Sequence, residues 1–217
     1  MRGGLFELRM SVLFFKRFLQ RPFQIASIVP SSKALVERVA DKINFAQARV
    51  VAEYGPGVGV HSREIARRMR PDTQLLLFEL DPAFSRDLER QFTDDPRVHI
   101  INSDAARLPN ELRRRGIPQC DYILSGIPFS ILKVDKKRAL LQKTYHALAP
   151  GGQFITYQVT NELKQHAKIF DRVESEYFLQ NIPPMFITVF VKTDARPEHG
   201  KKHLPMQPAQ ISANHPA

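Results

Sequence analysis

Glu53-Tyr54-Gly55-Pro56-Gly57-Val58-Gly59 is the stretch that decides the fold class. It follows the apolar run Val50-Val51-Ala52 and precedes a helical pattern from His61 to Arg70. A strand that breaks into spaced glycines and then enters a helix lets the backbone turn tightly and come close to a ligand. The spacing is G-x-G-x-G. A dinucleotide fingerprint, G-x-G-x-x-G, needs its third glycine at position 60, where this chain has Val60.

Working outward, strands are predicted over 50–54, 74–80, 98–103, 120–124, 153–159, 172–179 and 186–192. Helices are predicted over 33–43, 61–70, 82–92, 105–115, 133–148 and 162–170, with Pro150-Gly151-Gly152 as the stop of the fifth. Strands that alternate with helices predict an α/β fold, a parallel sheet covered on both faces. The connector 180–185 is too short for a crossover helix, so the last two strands form an antiparallel hairpin.

Three acids fall at strand ends. Glu53 closes the first strand, Glu79 the second, and Asp104 the third within Asn102-Ser103-Asp104-Ala105. Ligands of such sheets lie outside the carboxyl ends of the strands. A carboxylate after the second strand can accept both hydroxyls of a ribose. One after the third can accept an exocyclic adenine amine. One such acid alone is commonly a helix cap; three in this order beside a glycine loop point to a nucleoside ligand.

These residues resemble the class I S-adenosylmethionine-dependent methyltransferases over residues 45–192. The resemblance implies a Rossmann-like, seven-stranded, mostly parallel sheet with an antiparallel last strand. It implies Gly55, Gly57 and Gly59 against the methionine part of the cofactor and Glu53 near its methionine end. Glu79, with Leu80 next to it, would hold the ribose, and Asp104 with Ala105 the adenine. S-adenosylhomocysteine would be the product.

A narrower resemblance runs through Phe18-Leu-Gln-Arg-Pro-Phe-Gln-Ile-Ala-Ser-Ile-Val-Pro-Ser-Ser-Lys-Ala-Leu35, Glu53 to Val60, Ser125-Gly126-Ile127-Pro128-Phe129, Phe154-Ile155-Thr156-Tyr157 and Asn181-Ile182-Pro183-Pro184. It is similar to the bacterial phospholipid N-methyltransferases, which methylate phosphatidylethanolamine toward phosphatidylcholine and are related to the ribosomal RNA adenine dimethyltransferases. The RNA enzymes resemble one another in an Asn/Asp-x-Pro-Tyr/Phe tetrad that holds a flipped adenine. Aligned on Pro128, this chain has Gly126, which offers no acceptor. Residues 193–217 also leave no room for the helical RNA-binding domain of those enzymes. A lipid amine is therefore the expected substrate, with RNA or another amino lipid such as ornithine lipid as alternatives. A non-catalytic module of the same fold is the third reading, and cofactor binding would argue against it.

Composition frames these expectations. The chain has 217 residues, 43% hydrophobic and 25% charged, which excludes a collagen-like or wholly disordered protein. Its single cysteine, Cys120, excludes an intrachain disulfide and a cysteine zinc site, and suits a reducing compartment. No metal is expected. The net charge of +10 suits an anionic partner, lipid or nucleic acid. No apolar run approaches the ~20 residues of a membrane span.

Residues 1–22 stand apart from the methyltransferase domain expected over 23–192 and from the proline-containing, disordered tail expected over 193–217. Leu5, Leu8, Val12, Phe15 and Leu19 share one helix face. Arg2, Arg9, Lys16, Arg17 and Arg21 against Glu7 leave this segment a net +4. A helix packed on its own domain is the plainer reading. The sharper one is an interfacial helix. Leu8, Val12, Phe15 and Leu19 would lie among acyl chains, and Arg9, Lys16, Arg17 and Arg21 would reach anionic head groups. That reading expects a cytoplasmic protein, peripheral on the inner face of the membrane.

For the chemistry, Tyr157 at the end of the fifth strand and Ser125 at the end of the fourth are expected to orient the amine, and Ser125 is also a candidate cofactor contact. Phe129 and Tyr157 are expected to give a methylammonium an aromatic face. Ser31 and Ser32 are candidates for the cofactor carboxylate, although helix capping alone would explain them.

Overall fold

The computed structural model describes residues 31–193. The membrane-binding helix expected over 1–22 and the tail expected over 193–217 lie outside them, Thr193 apart. Seven strands form one sheet: β1 Val50–Tyr54, β2 Gln74–Glu79, β3 Val98–Asn102, β4 Cys120–Ser125, β5 Leu148–Gln158, β6 Arg172–Phe178 and β7 Met185–Val191. Among the described residues five α-helices accompany them: α1 Lys33–Ala40, α2 Val60–Arg68, α3 Pro82–Gln91, α4 Leu108–Arg115 and α5 Val134–Ala147.

The strand order is β3-β2-β1-β4-β5-β7-β6. β1 to β5 are mutually parallel, and β7 runs antiparallel to both β5 and β6. This is the Rossmann-like fold expected. The last strand threads between β5 and β6, so β6 becomes the edge. The order reverses between β1 and β4, and a ligand crevice opens at such a switch point.

Alternation along the strands builds two cores. Ala52, Leu76, Phe78, Ile123 and Phe154 face one way, with Leu108 and Leu112 of α4 and Leu140 and Leu141 of α5. Val51, Leu75, Leu77, Leu124 and Ile155 face the other, with Leu35 and Val39 of α1, Ile65 of α2 and Leu88 of α3.

Most elements end within three residues of the sequence reading, and three differ in kind. α5 passes into β5 at Leu148 without a loop, so Pro150-Gly151-Gly152 lies inside the strand. The Gly151 N–H donates to the Lys192 carbonyl at 2.8 Å, and the Lys192 N–H to the Gly152 carbonyl at 3.0 Å, so these residues extend the sheet. The helix predicted over 105–115 opens as a 3-10 turn, Ala105–Arg107, and becomes α-helical only at Leu108. Pro109 needs no N–H partner in a first turn. The helix predicted over 162–170 is a 3-10 turn, Glu162–His166.

Candidate active site

The glycine loop joins β1 to α2 at the switch point. Gly55, Gly57 and Gly59 all have positive φ, at 65°, 54° and 76°. Gly59 caps α2 from the left-handed region, and a Cβ there would stand 2.7 Å from Leu88 Cδ2. A Cβ on Gly57 would meet nothing within 4 Å, so that side of the loop is open to a ligand.

Glu79 ties the loop to the end of β2. The Gly57 N–H donates to its Oε2 at 3.0 Å and the Asp81 N–H to its Oε1 at 2.9 Å. Each carboxylate oxygen keeps a second lone pair for a ligand hydroxyl. Leu80, directly after it, is 70% exposed. The Asn102 side-chain amide braces the same strand end by donating to the Glu79 and Leu80 carbonyls. Asp104 accepts the Ala106 N–H through Oδ1 at 2.7 Å, and Ala105 is buried beneath it. The acid expected at the adenine is therefore also a helix cap.

Glu53 is fully buried. Ser62 of α2 donates its hydroxyl to Glu53 Oε2 at 2.6 Å, whereas Oε1 has no partner. Burial pushes this carboxyl up to about 7, with the Glu79 charge adding to the shift and the Ser62 hydrogen bond opposing it. An unpaired buried acceptor is costly and marks a position for a donor from outside the chain.

Tyr157 stands at the end of β5, half-buried, with its ring stacked on His61 at 4.2 Å between centroids. His61 Nε2 is hydrogen-bonded to Ser31 Oγ at 3.0 Å. Burial holds the imidazole near a pKa of about 3, so it is neutral at physiological pH. The Tyr157 phenol is raised well above its ordinary value by burial and by the Glu53 charge, so it keeps its proton. A Cβ on Gly126 would lie 2.6 Å from Tyr157 Oη and 3.0 Å from the Gly55 carbonyl. Position 126 is glycine for space, because its φ is not among the positive ones.

Two expected partners of Tyr157 stand elsewhere. Ser125 is fully buried, and strand alternation puts it on the face of Ile123, whereas Tyr157 shares the face of Ile155. Its hydroxyl accepts the Ile127 N–H at 3.2 Å and so shapes the loop after β4. Phe129 is also fully buried and meets Phe154 edge-on at 6.0 Å. It therefore offers no open face to a cation. The aromatic neighbour of Tyr157 is His61.

Ser32 caps α1 by accepting the Leu35 N–H and donates to the Gln180 carbonyl. Its own N–H donates to Asn181 Oδ1. Asn181 also donates to the Pro183 carbonyl, so the Asn-Ile-Pro-Pro turn staples the start of α1 to the β6–β7 connection. His61 and Ser62 are the site residues absent from the sequence reading. The available signal was two polar side chains in the first turn of the helix that follows the glycine loop. Among the described residues, no group of three His, Cys, Asp or Glu side chains is placed to hold a metal ion. No helix among them is long and apolar enough to cross a membrane.

The chain is similar to known proteins in sequence and in fold. Residues 29–116 match the family model described as ribosomal RNA adenine dimethylase. The chain is 33% identical over 174 residues to the ornithine lipid N-methyltransferase of Singulisphaera acidiphila, spanning 79% of this chain and 91% of that protein. Its fold is similar to that of the N-methyltransferase NodS from Bradyrhizobium japonicum, with a TM-score of 0.58 and 9% identity over 74% of this chain and 94% of that one. It is also similar to the O-methyltransferase TomG from Streptomyces achromogenes, solved in complex with SAM, with a TM-score of 0.59 and 15% identity over 75% of this chain and 81% of that one.

Proposed function

Because the chain belongs to the S-adenosylmethionine-dependent methyltransferases related to the ribosomal RNA adenine dimethylases, we propose that it N-methylates the amine of a membrane amino lipid. The cofactor is S-adenosylmethionine. Its ammonium group suits the unpaired Glu53 Oε1, and its ribose hydroxyls suit the free lone pairs of Glu79. Asp104 with Ala105 would take the adenine, and the open side of Gly57 the methionine chain.

The observation that carries the substrate reading is the Gly126–Tyr157 pair. An adenine N6-methyltransferase needs an amide or carboxylate at position 126 and an aromatic at 129 free to stack the flipped base. Here the Tyr157 hydroxyl fills the space such a side chain would take, and the Phe129 ring lies in the core. A small amine on a flexible headgroup needs neither. The relative that acts on ornithine lipid puts that substrate first, with phosphatidylethanolamine second. The basic, amphipathic residues 1–22 would hold the protein on the bilayer.

When bound, the cofactor supplies a methyl group already activated on a sulfonium centre. The chain's own work is positioning. The Tyr157 phenol stays neutral and accepts an N–H of the substrate, which aims the nitrogen lone pair into the site. Exclusion of water around the His61–Tyr157 stack disfavours the ammonium form of the substrate and leaves the lone pair available. Ser125 and Gln158 hold the loop after β4, through the Ile127 N–H and the Ile127 carbonyl respectively.

Methyl-labelled S-adenosylmethionine tests the reading. Vesicles containing ornithine lipid, vesicles containing phosphatidylethanolamine, vesicles lacking both, and ribosomal RNA are offered separately. Label is expected in an amine lipid; label confined to RNA would overturn the proposal.

Glu79→Ala is expected to weaken cofactor binding by about ten- to a hundredfold, since a hydrogen bond to a charged group contributes roughly 1.5–3 kcal/mol. Glu79→Gln is expected to do nearly as much damage. Its –NH2 would face either the Gly57 or the Asp81 N–H, and a donor cannot accept from a donor. Calorimetry measures both; an unchanged affinity in Glu79→Ala would remove Glu79 from the site.

A further inference from the structure

Six of the eight large apolar side chains exposed among the described residues, Val58, Leu80, Ile131, Val134, Leu179 and Ile182, belong to one rim of the sheet. Val58 is in the glycine loop, Leu80 follows β2, and Ile131 and Val134 follow β4. Leu179 and Ile182 lie in the β6–β7 turn. β6 runs parallel to β5, because β7 opposes both, so this turn shares the carboxyl rim. Leu80, Leu179 and Ile182 are 70%, 69% and 71% exposed.

The opposite rim differs. There Arg70 pairs with Asp72, Arg97 with Asp95, and Arg114 and Arg115 with Glu111. The remaining two exposed apolar side chains, Val173 and Tyr177, lie along the edge strand β6. Single exposed apolar residues are ordinary on a protein surface; here Val58 and Leu80 flank the cofactor site itself, and the other four gather on the same rim beyond it.

We propose that this carboxyl rim is the face by which the folded domain seats on a lipid bilayer, so that a lipid amine reaches Tyr157 while its acyl chains stay in the membrane. The inference rests on the amino-lipid reading and adds the residues that make the contact. Three observations favour a bilayer over another occupant. The apolar side chains surround the strand ends that carry the glycine loop, Glu79 and Gly126, which is where a lipid anchored by its tails must be met. The chain also enters the described fold on this rim, where Ser31 meets His61 and Ser32 meets Gln180 and Asn181. Residues 1–22, with their net charge of +4, precede that entry point in the sequence. Finally, Lys133 and Lys136 stand exposed beside Ile131 and Val134, with Asp135 between them, and neither lysine forms an ion pair among the described residues. Apolar side chains flanked by cations suit an anionic lipid surface.

The test uses the full chain and vesicles of phosphatidylglycerol and phosphatidylcholine, which contain no amine lipid. Binding is then read apart from methyl transfer. Ile131→Ser, Val134→Ser, Leu179→Ser and Ile182→Ser are combined in one variant. It is expected to need about tenfold more lipid, or more, for half-maximal binding. Its S-adenosylmethionine affinity and melting temperature are expected to match the parent. In a second measurement a solvent-sensitive fluorophore is attached to Ile131→Cys or, on the opposite rim, to Asp94→Cys; Cys120 is buried and does not compete for the label. Vesicles are expected to shift the emission to the blue at 131 and to leave it unchanged at 94. Serine-variant binding equal to the parent's would overturn the proposal. So would a label at 131 that is already blue-shifted in the absence of lipid and unaltered by it, because the chain itself or a second copy would then cover the rim. Amine lipid that stays unlabelled while the rim still binds vesicles would sink the substrate reading instead.

Discussion

Glu53→Gln is expected to stabilise the ligand-free protein at pH 8 while weakening S-adenosylmethionine binding by about ten- to a hundredfold. Both effects come from one buried carboxyl with an unpaired oxygen. Its folded pKa of about 7 lies above its ordinary value of 4.5, so the folded state holds a proton that the unfolded state has released. Stability therefore falls as pH rises from 4.5 to 7 and stays low above that. The shift caps the cost at about 3 kcal/mol. The amide recovers only part of it, because its buried –NH2 lacks an acceptor. A gain of about 1–2 kcal/mol, or roughly 2–8 °C in melting temperature, is expected at pH 8. At pH 4.5 and below, no gain is expected.

His61 acts with the opposite sign. Its folded pKa of about 3 lies below the ordinary 6.5, so its neutral, buried form loses stability as pH falls from 6.5 toward 3. Melting curves across pH 4.5 to 8 for the parent, Glu53→Gln and His61→Phe separate the two limbs. A Glu53→Gln variant destabilised equally at both ends of that range would mean that Oε1 is satisfied in the free protein.

The parts of the site legible in the sequence are those whose chemistry is local. A glycine loop after a strand and acids at successive strand ends occupy fixed places along the chain, and the structure puts Gly57, Glu79 and Asp104 at one end of one sheet. The antiparallel finish was legible from a connector too short for a crossover. What escaped depends on contacts between distant segments. His61 and Ser62 look like the polar face of a helix until α2 is docked beside Glu53 and Tyr157. Asn181 meets Ser32 across 149 residues. Phe129 carries the aromatic of a base-stacking tetrad, yet the 3-10 turn after β4 drives it into the core against Phe154. Pro150-Gly151-Gly152 looked like a helix stop because the pairing of Gly151 and Gly152 with Lys192 is invisible along the chain.

Gly126→Ala is expected to lower kcat on amine lipid by about a hundredfold, since a displacement near 1 Å at a reacting centre has that effect. The added Cβ would lie 2.6 Å from Tyr157 Oη, closer than such atoms pack, and 3.0 Å from the Gly55 carbonyl. The tyrosine must yield, because the carbonyl belongs to the glycine loop, whose Gly55 N–H is tied to Phe78. Its ring is stacked on His61, and a hydroxyl displaced by the new Cβ moves away from the end of β4. Tyr157→Phe removes the oxygen itself, and with it the acceptor for the substrate amine. Its loss of kcat is expected to be similar, with cofactor affinity near the parent's. The decisive measurement is the double variant. In a phenylalanine background the closest contact of the alanine Cβ is gone, leaving the Gly55 carbonyl at 3.0 Å, a tight contact, and the ring carbon at 3.4 Å. Gly126→Ala is then expected to cost much less than in the parent, so the two effects are non-additive. If the losses instead multiply, Gly126 acts through the cofactor loop by way of Gly55, and the hydroxyl of Tyr157 does not hold the substrate.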